Sequence, residues 1–152
     1  MKDGLLTGDY EISFGEQTLR LENGTLKVDN LVPPMIWRVL RSAPHPPPVG
    51  KDAYIIGIGP LLEDRALVEM VDENQAAVPV ITGGLGTNFM IQGDSQRGWT
   101  IEWFSFLTQP PIRRPVGIQL LPGKSGPHVV VLPEGERPPV WKFTPVPEKS
   151  DR

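Results

Sequence analysis

A chain of 152 residues with a formal net charge of −3 is long enough to bury one independent core. It has no cysteine, which excludes a disulfide framework, thiol catalysis and cysteine-based zinc sites. Arg113-Arg114 is its only adjacent basic pair, too little cation clustering for nucleic-acid binding, and no apolar run approaches the roughly 20 residues of a membrane helix.

Glycine and proline, at 16 and 18 residues, sit poorly inside helices and move the expectation toward short strands joined by tight turns. The opening MKDGLLTGDYE holds one lysine and no apolar stretch long enough for a signal peptide. A soluble chain, cytoplasmic at synthesis and without a membrane partner, is the expectation.

Gly15-Glu16 and Asn23-Gly24 divide residues 9–29 into three alternating runs. Gly at the first central position suits a type II′ turn, and Asn-Gly suits type I′. Two-residue loops then force the register. Tyr10 faces Leu21, which faces Leu26; Ile12 faces Leu19, which faces Val28. All six fall on one face of a three-stranded meander. The opposite face sets Glu11 beside Arg20 and Arg20 beside Lys27, a like-charged contact that needs a diagonal carboxylate such as Glu22.

Pro33-Pro34 followed by Met35–Arg41, with Arg38 and Arg41 near the end, reads as one short helix near 34–41. Residues 42–52 hold four prolines in the five positions after Ala43 and read as an extended loop. Ala53–Ile58 is a buried strand. Residues 60–81 allow two readings. Pro60, Glu63 and Asp64 resemble a helix start, whereas Ala66–Val71 and Ala76–Ile81 match as a hairpin across Asp72–Gln75, which the branched side chains favour.

Gly83–Gly86 reads as a flexible loop. Thr87–Gln92 and Trp99–Leu107 form two strands around a loop of about six residues, Gly93–Gly98. Val116–Leu121 and His128–Leu132 make a further hairpin across Pro122–Gly126. The predicted fold is mainly β: an antiparallel sandwich or barrel-like domain over residues 1–132 that starts with the meander. Residues 133–152 follow as a proline-rich extension, either part of the same domain or an inter-subunit arm.

The usual catalytic equipment is sparse. Only His45 and His128 exist, and no Gly-x-Ser-x-Gly elbow accompanies them. Glu102 lies among aromatics that would suit glycoside chemistry, but strand alternation points Trp99, Ile101 and Trp103 to one face and Glu102 to the other. Gly83–Gly86 lacks the continuation of a phosphate loop, and Asp72-Glu73-Asn74 lacks the ligand spacing of a calcium loop. No cofactor, metal or catalytic residue is assigned.

Two surfaces remain as binding candidates. Pro138, Pro139, Trp141, Phe143, Pro145 and Pro147 combine a stiff backbone with aromatic anchors and form the predicted protein interface, set against the alternative that Trp141 and Phe143 finish the domain's own core. Trp99 and Trp103 would stack against sugar rings if exposed. In composition and layout the chain resembles accessory virion components, such as capsid cement proteins and tail or baseplate adaptors, though no motif carries residues across. That resemblance implies a non-enzymatic assembly protein, a homo-oligomer with protein subunits as partners on a lattice, and incorporation into a virion. The alternatives are a carbohydrate-binding module and an enzyme built around Glu102.

Overall fold

Two tight turns start the fold. The computed structural model describes residues 4–30, 33–46, 49–58, 62, 64–68, 78–83, 86–106, 111–120 and 126–146. Strands β1 (Gly8–Phe14), β2 (Gln17–Glu22) and β3 (Thr25–Asp29) form the meander. Asn23 and Gly24 take φ of 53° and 81°, the left-handed pair that a type I′ turn demands. The register follows, with Leu21 opposite Leu26, Leu19 opposite Val28 and Arg20 opposite Lys27. The like-charged pair is relieved by carboxylates. Lys27 Nζ lies 3.0 Å from Glu22 Oε1, and Arg20 Nε lies 2.8 Å from Asp29 Oδ1. Tyr10, Ile12, Leu19, Leu26 and Val28 are buried, and Leu21 is half-buried against them.

Between β1 and β2, Ser13 pairs with Thr18 and Phe14 with Gln17, as the two-residue loop requires. The pairing ends there, because Trp37 takes the place opposite Tyr10 that Leu21 was expected to fill. The expected helix near 34–41 is absent. Trp37–Arg41 is strand β4, paired with β1 on one side and with β5 (Ala53–Ile58) on the other. Trp37 and Val39 are fully buried, while Arg38 and Leu40 face outward, so a period of two holds. Two open strand edges supply ladder partners that an isolated two-turn helix could not match.

The described residues of 42–52 are more turned than extended. The His45 amide donates to the Gly50 carbonyl at 2.9 Å, and Val49 is buried beneath the loop. Beyond β5 come the short strands β6 (Asp64–Leu67), β7 (Val78–Pro79) and β8 (Ile81–Thr82). The described part of 60–81 therefore follows the hairpin, not the helix. Its register is one residue off the expected one, with Ala66 opposite Thr82 and Leu67 opposite Ile81. Val78 and Pro79 are drawn away to pair with Val131 and Val130. The expected turn at 72–75 lies outside the described residues.

β9 (Phe89–Asp94) and β10 (Gly98–Ser105) are joined by three residues, not about six. Asp94 Oδ1 accepts the amides of Gln96 and Arg97 at 3.0 and 2.7 Å, and this side-chain cap tightens the turn. β11 (Ile112–Leu120), β12 (Pro127–Val131) and β13 (Lys142–Pro145) complete the described strands.

Hydrogen-bonded neighbours run β13-β1-β2-β3-β8-β6-β5-β9-β10-β11-β12-β7, with β4 joining β1 to β5 and β12 also meeting β3. The path from β1 through β2, β3, β12, β11, β10, β9, β5 and β4 returns to β1, so the antiparallel sheet closes into a barrel-like body. Its interior is packed with Trp37, Tyr54, Phe89 and Trp141 among branched aliphatic side chains. The indole N–H groups of Trp37 and Trp141 donate to the carbonyls of Leu19 and Val116 at 3.0 and 3.1 Å. Space left in this core amounts to about 20 Å³ with apolar walls, room for roughly one water and no partner to hold it. No helix among the described residues is long and apolar enough to cross a membrane.

Candidate functional site

The tryptophans of β10 point into the barrel. Trp99 and Trp103 are only 7% and 8% exposed, both packed in the main core, so neither ring is presented as a face for a sugar. The stacking role expected of them lacks its geometric requirement. Glu102 lies on the other face of β10, and it too is buried. Its Oε1 accepts a hydrogen bond from Arg113 Nη2 at 2.7 Å. That ion pair gives the carboxylate a structural partner, and Met90 and Pro115 flank it in register on the adjoining strands.

The histidines are committed to packing. His128 is buried with Nδ1 3.1 Å from the Gly126 carbonyl. His45 lies against the rings of Phe104 and Phe106, with centroids 5.2 and 6.4 Å away. Among the described residues, no group of three or more His, Asp or Glu side chains could hold a metal ion. At the described ends of the Gly83–Gly86 loop, the Gly86 amide donates to the Gly83 carbonyl at 3.1 Å.

The C-terminal anchors belong to the domain that carries them. β13 pairs with β1 through Tyr10–Pro145, Glu11–Thr144, Ile12–Phe143 and Ser13–Lys142. Trp141 is 1% exposed and Phe143 is 7%, so the expectation that these two side chains anchor a partner is replaced by the core alternative. The reason is positional, since Trp141 and Trp99 exchange backbone hydrogen bonds at 2.7 and 2.8 Å and fasten the segment to β10. Pro138 and Pro139 are half-buried and Pro145 is exposed, while Pro147 lies outside the described residues.

Sequence reasoning missed Arg114, which is 1% exposed. Its presence follows from Pro115. The Leu132 amide donates to the Pro115 carbonyl at 2.8 Å, and a proline has no N–H to return to the Leu132 carbonyl. Arg114 Nε donates to that carbonyl instead, at 2.7 Å. A side chain thus replaces the missing ladder bond. Burial lowers the pKa of this guanidinium, and the charge of Glu134 opposes the shift.

A second feature escaped the sequence reading. Cross-strand partners share a face, so the pairs Leu40–Ile55, Ala53–Met90, Met90–Glu102 and Phe104–Arg113 place these side chains outside the barrel on β4, β5, β9, β10 and β11. Ser42 and Asn88, two residues from Leu40 and Met90, fall on the same face by alternation. Among the described residues, the buried side-chain atoms without a hydrogen-bond partner are Ser42 Oγ, Asn88 Oδ1 and Arg113 Nε. All three lie on this outer face. Val49, Phe104 and Phe106 form a small second core there with Ala53 and Met90. Leu40 remains 38% exposed at its margin. No family model, curated protein or solved structure matches this chain.

Proposed function

We propose that the protein is a non-enzymatic assembly component, a barrel-like body that docks onto other protein subunits and onto copies of itself. The observation that carries this reading is the concentration of unmet hydrogen-bonding atoms on one outer face, beside partly exposed apolar side chains. An unpaired buried polar atom costs about 1–3 kcal/mol, so three on one face support a surface that a partner completes. Small rotations of Ser42 and Asn88 would offer those atoms to a partner, with Leu40 and Ile55 as the apolar contact. The packed interior adds support, because its roughly 20 Å³ of free space leaves binding to the outside surface. Composition and layout extend the proposal to an accessory role on a capsid or tail lattice.

Light scattering across a concentration series tests it. The expected outcome is a homo-oligomer that dissociates in a Leu40→Glu variant whose circular dichroism is unchanged. A wild-type chain that stays monomeric at every concentration overturns the self-assembly.

A further inference from the structure

One edge of β13 pairs with β1, and two hollows lie along its other side. Hydrogen bonding along β13 alternates between its two sides. The Val146 amide donates to the Asp9 carbonyl at 2.9 Å, which sets residues 142, 144 and 146 as those bonded toward β1. Trp141, Phe143 and Pro145 therefore direct their backbone groups the other way. Trp141 meets Trp99 of β10 there. One step further along, the position opposite Phe143 in that register would be Arg97, but residues 95–97 have already turned back toward β9. The N–H and C=O of Phe143 and the C=O of Pro145 thus point away from β1 and meet no strand among the described residues. The nitrogen of Pro145, which has no hydrogen, also points away from β1, so proline costs the β1 ladder nothing.

The two hollows differ in character. Toward the barrel interior, a hollow of about 310 Å³ is walled by Leu5, Leu6, Tyr10, Trp99, Phe143 and Pro145. Leu6 is 68% exposed at its rim. Toward the outside, a hollow of about 340 Å³ is bordered by Ser13, Gln96, Arg97 and Lys142. Arg97 and Lys142 are exposed, and neither has a carboxylate within ion-pair distance among the described residues. Asp94, at the lip of the inner hollow, spends one carboxylate oxygen on the amides of its own turn.

The geometry points to strand addition at β13 by an extended peptide segment of a partner protein in which apolar and acidic residues alternate. Successive side chains of a strand point to opposite faces. Apolar residues enter the aromatic hollow while the acidic ones between them meet Arg97 and Lys142. The Phe143 N–H and C=O and the Pro145 C=O supply the backbone contacts. This inference rests on the reading that the protein works by docking, but it concerns a different surface from the outer face around Leu40.

Synthetic peptides of about eight residues test it, one alternating leucine with glutamate and a control alternating leucine with lysine. Binding to the full chain is followed by the amide resonance of Phe143 and by tryptophan fluorescence. The acidic peptide should bind at least about 10-fold more tightly than the basic one and move the Phe143 amide. An Arg97→Glu/Lys142→Glu double variant, altered only at exposed positions, should reverse the preference. N-methylation of the peptide's central amides should abolish binding. Equal affinity for both peptides, an unmoved Phe143 amide or indifference to charge reversal overturns the inference. Light scattering reads self-association independently, so failure here leaves the oligomer result standing, and the converse holds.

Discussion

At the scale of single residues, the clearest dependency is between Arg114 and Pro115. From sequence this arginine reads only as half of the single adjacent basic pair. The structure puts it inside because its neighbour is a proline within a strand, so the Leu132 carbonyl needs a donor from elsewhere. Arg114→Met keeps much of the apolar volume and removes that donor, and should destabilise by about 1–3 kcal/mol. Pro115→Ala restores a backbone N–H at the missing ladder position. The loss caused by Arg114→Met should therefore be smaller when Pro115→Ala is present, and a double-mutant cycle in urea reads the difference as a coupling energy. Additive effects would mean that the guanidinium is held for some other reason. Glu102 was legible to a greater degree. Alternation along Trp99–Trp103 separated it from the tryptophans correctly, and only the Arg113 partner across the strand pair needed coordinates.

At the scale of elements, legibility followed the chemistry of the turns and the exposure of the faces. The meander could be read because Asn23-Gly24 fixes a register and only one face of β2 and β3 meets the core. β4 could not. Its outward face carries Leu40 as well as Arg38, so the apolar pattern is not cleanly alternating, and the prolines before it imitate a helix start. The break at Pro115 likewise hid the first four residues of β11, which pair with β10. Glycines sort by the same logic. At Gly24 the φ of 81° is the whole requirement, since a Cβ there would meet nothing within 4 Å. Gly24→Ala should cost about 1–2 kcal/mol through backbone conformation alone. At Gly57 the conformation is ordinary, but a Cβ would sit 2.6 Å from the Asp64 carbonyl oxygen and 2.8 Å from Leu62 Cδ2. Backbone there cannot yield cheaply, so Gly57→Ala should be the more damaging change by thermal unfolding, opposite to their rank by φ.

At the scale of the molecule, closure is what the sequence could not reveal, because it depends on which distant edges meet. β13 lies along β1, so residues at opposite ends of the described chain are hydrogen-bonded neighbours, and Trp141 fills the interior between them. A chain that ended at Leu132 would lose Trp141 and Phe143 together and leave one edge of β1 unpaired. Truncating a single buried tryptophan to alanine costs about 3–5 kcal/mol, against a total stability of about 5–15 kcal/mol for a typical domain. Removing residues 133–152 takes away two buried aromatics and a strand. The truncated protein should therefore lose its near-ultraviolet circular dichroism and its cooperative thermal transition. A truncated chain that still melts cooperatively would show that the body folds without this segment. The same long-range pairing bears on kinetics. Forming β1–β13 requires closing a loop of nearly the whole chain before any contact between them repays the entropy, which favours late formation. Substitutions at Phe143 should then speed unfolding more than they slow folding, whereas changes at the Asn23-Gly24 turn, a local contact available from the start, should act mainly on the folding rate.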